Sequence, residues 1–161
     1  MSGSIFVVDA MLGSLARKLR IFGFDTKYHK AGSDRELLDL ARDEGRAIIT
    51  SDRRLGEAAL AKGLHVFVLI GGSDRARIRS LVEQARSLGI PLAPGEPLCA
   101  VCNGSLSEVK RTKLKGRLPP RLLARHRVYY VCNNCGKVYW HGSHWARLRR
   151  IGLLLAPAKR I

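Results

Sequence analysis

Two sets of residues in this 161-residue chain have the types and spacing to do chemistry. The first is its four cysteines, Cys99-Ala-Val-Cys102 and Cys132-Asn-Asn-Cys135, with 29 residues between the pairs. A C-x-x-C turn puts two thiolates on one side of a tight loop. Two such loops face to face offer four sulfurs in a tetrahedron, which suits zinc. Asn103-Gly104 follows one pair and Gly136 the other. Glycine there lets backbone amides turn toward sulfur without a Cβ clash. The alternatives are two disulfides or a redox pair. Disulfides need an oxidising compartment, which nothing in the sequence suggests. A redox pair sits at a helix start in a βαβ setting, and one pair suffices. A structural zinc on Cys99, Cys102, Cys132 and Cys135 is the expectation.

The second set is acidic: Asp9, Asp34, Asp52 and Asp74. Their meaning depends on the elements that carry them. Ile5–Val8 reads as a short apolar strand. Leu12, Leu15, Ala16 and Leu19 follow at helical spacing, and Gly23 ends that helix. Thr26–Tyr28 suits a second strand. Ser33 suits the cap of a helix from Asp34 to about Glu44, closed by Gly45. Ala47–Thr50 is a strand, Leu55–Ala61 a helix, His65–Ile70 a strand, and Ser73 caps a helix to about Leu88. Strands alternating with helices imply a parallel sheet covered on both faces. Each of the four aspartates then falls at a strand-to-helix junction, on the rim where open parallel sheets bind ligands. Converging carboxylates repel, and a hard divalent cation such as magnesium or manganese relieves them. Held there, it activates water for phosphoryl transfer. The other reading is helix capping and dipole compensation. That reading suits Asp34 and Asp74 better than Asp9, which ends an apolar strand.

The composition breaks at Pro91-Leu-Ala-Pro94-Gly-Glu-Pro97, a stiff connector. It divides the chain into residues 1–90, a connector at 91–98, and residues 99–161. After it, short antiparallel strands are expected around Val128–Val131 and Lys137–Trp140. Ser143 is the expected cap of a last helix, His144 to Ile151. Charge divides the same way. Residues 1–95 hold 15 Lys+Arg against 11 Asp+Glu, and residues 96–161 hold 14 against 2, so +12 of the net +16 lies in the second part. Such a localised excess points to a polyanion, nucleic acid before membrane lipid. No apolar run approaches a membrane span and no signal peptide is visible, so a cytoplasmic protein is expected. Phosphate-loop, dinucleotide and nucleophile-elbow motifs are missing from the sequence.

Asp9 closing the first strand, Asp34-Arg-Glu-Leu-Leu-Asp-Leu-Ala, and Ala47-Ile-Ile-Thr-Ser-Asp52-Arg-Arg-Leu resemble the PIN-like nuclease pattern. Asp9 through Asp25, with Cys132-Asn-Asn-Cys135-Gly-Lys-Val-Tyr-Trp-His-Gly-Ser-His144, is similar to the Mut-seven C-terminal RNase subgroup. That subgroup joins a short PIN-like domain to a zinc ribbon, so the resemblance covers nearly the whole chain. It implies an α/β fold, with a three-layer parallel-sheet domain followed by the ribbon. It also implies a metal-dependent ribonuclease using Asp9, Asp34 and Asp52. The extra acid of larger PIN domains has no counterpart here, because Asp25 is the only carboxylate between Asp9 and Asp34. Asp74 is an additional candidate acid, on its placement alone.

RNA is the expected partner. Phosphate contacts are expected from Arg17, Lys18, Arg53 and Arg54 beside the acids. The ribbon would add Lys110, Arg111, Lys113, Lys115, Arg117, Arg121, Arg125, Arg127, His144 and Arg147. Tyr129, Tyr130, Tyr139, Trp140 and Trp145 suit either base stacking or the core of a small ribbon. Two other functions compete with the nuclease. One is a non-catalytic RNA-binding module; the other is a phosphatase-like or receiver-like protein for small phosphorylated molecules, which has no need of the basic ribbon.

Overall fold

The computed structural model describes residues 4–155; residues 1–3 and 156–161, the outer ends of the two expected segments, lie outside it. Strands β1 (Ile5–Asp9), β2 (Asp25–His29), β3 (Ala47–Thr50) and β4 (Val66–Val68) form a parallel sheet in the order β2-β1-β3-β4. Between and after them run α1 (Gly13–Ile21), α2 (Asp34–Glu44), α3 (Arg53–Ala61) and α4 (Asp74–Ser87).

Side chains alternate along a strand, so one apolar strand serves two layers. Phe6 and Val8 of β1 pack with Leu15, Leu19, Ile78 and Leu81 of α1 and α4. Val7, between them, packs with Leu37, Leu38 and Ala41 of α2 and Leu55 and Ala59 of α3. The result is the expected three-layer α/β unit.

β4 is shorter than the expected His65–Ile70. It is an edge strand, and Ile70 is 54% exposed.

The second sheet is antiparallel, with β5 (Leu106–Lys110), β6 (Val128–Cys132) and β7 (Val138–Trp140) in that order. Strand β5, Leu-Ser-Glu-Val-Lys, is too polar to stand out in the sequence. A short helix, α5 (Pro120–Arg125), lies within the basic segment, where charge masks any apolar periodicity. The last helix, α6 (Ser143–Gly152), is capped by Gly142, and Ser143 is its first residue and makes no cap bond. Ile151 of α6 and the following Leu155 are buried in the α1/α4 core. The final helix therefore closes over the first sheet unit.

Polar contacts also tie the two parts together. The connector's Gly95 amide donates to Gly23 O at 2.9 Å, and Leu98 N donates to Arg20 O at 2.9 Å. Gly23 has φ +87°, and a Cβ there would collide with the Gly95 carbonyl. Arg20 is buried and donates to the carbonyls of Ala100 (2.9 Å) and Val101 (3.0 Å) in the first cysteine turn. Burial lowers its pKa, against the pull of the Cys99 and Cys102 thiolates and Asp25. Asn103 accepts from Thr26 N at 3.0 Å and donates to Asp25 at 2.8 Å, while buried Arg46 pairs with that same carboxylate at 2.8 Å.

Asp25→Ala removes an acceptor from both Arg46 and Asn103. The Asp25 side chain is 43% exposed, so water offsets part of the loss. A cost of about 1–2 kcal/mol is expected, lowering Tm by roughly 2–8 °C. An unchanged thermal unfolding curve would show that this junction contributes nothing to stability.

Candidate active site and metal centre

In the order β2-β1-β3-β4, successive connections leave β1 in opposite directions, so the crevice beyond the ends of β1 and β3 is the switch point of the sheet. Asp9 ends β1 there, half-buried. Its Oδ2 accepts a hydrogen bond from Thr50 Oγ1 at 2.9 Å. Thr50 is fully buried, and the same hydroxyl oxygen accepts from Asp52 N at 3.0 Å. One threonine thus orients Asp9 and fixes the backbone that carries Asp52. Asp52 caps α3 through Oδ1, which accepts from Arg54 N (2.7 Å) and Leu55 N (3.3 Å). Asp9 and Asp52 each commit one oxygen to these bonds and keep the other.

Asp34 is the exposed first residue of α2, and capping there is done by Ser33. Ser33 Oγ accepts from Glu36 N at 3.3 Å, and Glu36 accepts from Ser33 N at 2.6 Å. Asp52 is thus itself the cap of α3, whereas Asp34 is a first-turn acid that makes no cap bond.

Asp74 sits differently. Ser73 does the capping of α4. The Asp74 carboxylate accepts from Ser14 (2.6 Å) and Lys18 (2.6 Å) of α1 and from Arg77 (3.2 Å). Burial acts to raise its pKa, but the Lys18 and Ser14 hydrogen bonds prevail and hold it below the usual carboxylate range. Asp74 is an ionised, fully engaged staple between α1 and α4, on the opposite layer from α2 and α3.

Two further residues, Thr50 and His29, stand at the rim. Thr50 belongs to the Thr-Ser-Asp52 stretch, which by itself gives it no role. His29 is the register partner of Asp9 on β2, and its Nε2 is buried without a partner among the described residues. A histidine ending a half-polar strand carries no signature in sequence.

The four cysteines converge. Their sulfurs all lie within 4.8 Å of one another, and among the described residues they are the group of metal-ligating side chains so closely drawn together. Cys99 and Cys135 sulfurs are 3.6 Å apart and those of Cys102 and Cys132 3.4 Å. Zinc–sulfur bonds of about 2.3 Å in a tetrahedron put sulfurs about 3.8 Å apart, close to this arrangement and far from a disulfide of about 2.05 Å. The donor set fits a structural metal such as zinc. The Gly104 amide and Asn134 pull the Cys102 thiol down to about 6. Burial raises Cys99, but the Tyr139 hydroxyl, 3.0 Å from its sulfur, helps bring it below the ordinary thiol value. A Cβ on Gly104 would lie 3.0 Å from Cys132 Sγ and 3.3 Å from Cys102 Sγ, which is why glycine stands there. His141 and His144 are not part of the group.

The model of the Mut7-C RNAse domain matches residues 4–151, from the first strand through the last helix. The chain belongs to the Mut7-C RNAse domain family. The matched span holds both the acidic rim and the four-cysteine cluster. No curated protein and no solved structure shows significant similarity to the chain. The family is one of ribonuclease domains, which makes RNA the substrate class.

The cations of this Mut7-C chain lie where a polyanion can reach them. Arg17, Arg53, Arg54, Lys110, Arg111, Lys113, Lys115, Arg117, Arg121, Arg125, Arg127, His144 and Arg147 are all exposed. Lys18 is half-buried and paired with Asp74. Lys18, His144 and Arg147 come together with Arg75 and Arg150 in a cleft of about 770 Å³ between the start of α4 and α6. The turn from Arg111 to Pro120 lines another cleft of about 860 Å³. Among the described residues no helix is long and apolar enough to cross a membrane.

Proposed function

We propose that this Mut7-C protein is a magnesium- or manganese-dependent ribonuclease that hydrolyses RNA phosphodiester bonds in the cytoplasm. Residues 1–90 act as the nuclease domain, 91–98 as the connector, and 99–161 as a zinc ribbon that grips RNA. The observation that carries this reading is the pair Asp9 and Asp52 organised by buried Thr50 at the switch point of the sheet. Asp34, with no hydrogen bond among the described residues, completes the acid set.

The donors are hard carboxylate oxygens, which fit magnesium or manganese. Their oxygens are not drawn together as closely as the sulfurs. That spread suits magnesium, which takes one or two carboxylates and fills its shell with water and substrate phosphate. When bound, the ion stabilises charge on the scissile phosphate and activates a water. Asp9 contributes its free oxygen from a carboxylate that Thr50 prevents from rotating. Asp52 contributes its free oxygen from a carboxylate anchored to the first turn of α3. Arg53 and Arg54, exposed beside it, receive substrate phosphates.

The non-catalytic alternative needs all the acids to be caps or staples. Asp9 argues against it, because it ends a buried strand and its side chain makes no cap bond. The test is RNA degradation with added manganese, with and without EDTA. Cleavage that persists in EDTA, or no cleavage of any RNA, overturns the reading.

The grip has its own signature. If about four phosphates of a single strand are neutralised, log K falls with log salt at a slope near −3. Raising salt from about 50 to 200 mM is then expected to weaken RNA binding roughly 50-fold. Replacing Arg111, Lys113 and Arg117 together by Ala is expected to flatten that slope. Binding indifferent to salt would exclude a phosphate grip.

A further inference from the structure

The second part of the chain is rich in cations, yet one apolar pocket there has a carboxylate on its wall. This pocket, about 440 Å³, lies between the connector, the second sheet and α6. That volume falls in the range of small-molecule sites, roughly 300–1,000 Å³. Aromatic rings dominate the wall. His141 stacks on Trp145 with centroids 4.3 Å apart at 19°, Tyr130 lies 5.7 Å from His141, and Trp140 is 36% exposed. Leu98 and Leu148 add aliphatic surface.

Glu96 lines the same pocket and is one of only two acids in residues 96–161. It forms no ion pair with any cation among the described residues. Leu148 also lines the basic cleft of Lys18, Arg75, Arg147 and Arg150, so pocket and cleft adjoin along α6.

We infer that this pocket is a subsite for one unpaired guanine base of the bound RNA. The inference rests on the proposal that RNA is the substrate, and it specifies which base is read. A strand whose phosphates follow the basic cleft has its bases free to turn across α6 into the aromatic wall. Stacking on Trp and His accepts any base, because every base has a π-face. Glu96 supplies the choice. A carboxylate offers two acceptors side by side. Guanine alone presents two adjacent donors, N1–H and the N2 amino group, on its Watson–Crick edge. Adenine and cytosine set a ring-nitrogen acceptor beside their amino donor, and uracil flanks its single N–H with two carbonyls. Each of those would bring a lone pair against the Glu96 carboxylate. Charge-assisted, paired hydrogen bonds of this kind are among the stronger ones.

The test uses the full chain in buffer free of magnesium and manganese, with short oligouridine RNAs carrying one central guanosine, inosine or adenosine. Fluorescence anisotropy gives affinity, and quenching of Trp140 and Trp145 reports pocket occupancy. Guanosine is expected to bind at least roughly tenfold more tightly than inosine, which lacks the N2 amino group, and adenosine to bind no better than inosine. Glu96→Gln, at an exposed position, is expected to abolish that preference. Trp145→Phe is expected to weaken all three RNAs while keeping their order. Equal binding of the three RNAs, as for a pocket that takes an apolar protein side chain, overturns the inference. So does a guanosine preference that survives Glu96→Gln. A chain that discriminates bases yet cleaves no RNA leaves the pocket standing and refutes the nuclease reading; one that cleaves without discriminating does the reverse.

Discussion

Asp9→Asn is expected to slow RNA cleavage by at least about 100-fold and to leave the folded structure unchanged. The substitution keeps the size of the side chain, and its amide oxygen still accepts the Thr50 hydroxyl proton that now goes to Oδ2. What is lost is negative charge at the one position that joins the end of a buried strand to the switch-point crevice. Stabilisation of developing charge by a bound cation accounts for several kcal/mol in such reactions, and losing a ligand removes much of it. Asp52→Asn is expected to act in the same direction. Asparagine caps helices as well as aspartate, so α3 should not suffer. Asp34→Asn should likewise cost rate without costing stability.

Asp74→Asn is the instructive contrast. It weakens an ion pair with Lys18 and Arg77 between α1 and α4, so it should lower Tm while cleavage falls far less than with Asp9→Asn. Rates under manganese, paired with thermal unfolding of each variant, separate the two classes. An Asp9→Asn protein with the wild-type rate would remove Asp9 from the site.

Cys99→Ser is expected to abolish tight zinc binding and to unfold much of the second sheet. Cys99 is fully buried, its sulfur faces Cys135 and Tyr139, and its turn carries the carbonyls that hold Arg20. Structural zinc sites supply on the order of 10 kcal/mol or more to folding, because the unfolded chain has no such site. Amides of β5, β6 and β7 should lose hydrogen-exchange protection, whereas β1 and β3 should keep most of theirs. Loss should also reach α1, since buried Arg20 would be left with fewer partners. Native protein purified without added zinc should hold about one zinc per chain. Strong chelation should reproduce the variant's behaviour, and acid should favour metal release because the ligands are thiolates. Protein that lacks metal and keeps its second sheet would contradict this account.

Much of this was legible in the chain because the signals are local. The 3.6-residue periodicity of Leu37, Leu38 and Ala41 between Ser33 and Gly45 locates α2. The paired C-x-x-C spacing anticipates the sulfur cluster. Alternation of strand and helix puts Asp9 at the end of β1 and Asp52 at the start of α3.

What was hidden depends on contacts far apart in sequence. Asp74 resembles Asp34 in sequence, as an acid just after a serine cap, yet it is engaged by Lys18, 56 residues away. Thr50 acquires its importance only when β1 lies beside β3. Asp25, Arg46 and Asn103 meet only after the cysteine turn docks on β2. Strand β5 pairs with β6 through its backbone, and its polar side chains leave no apolar pattern to read.

The most direct test of the central claim is a crystal of the wild-type protein soaked with manganese, with an anomalous difference map at the manganese edge. The account predicts a peak in the crevice beyond β1 and β3, within coordination distance of Asp9 or Asp52 directly or through one water, with Asp34 on the same side of the ion. The peak should disappear in Asp9→Asn. A protein that cleaves RNA with manganese but shows its only peak elsewhere, at Asp74 for example, would contradict it.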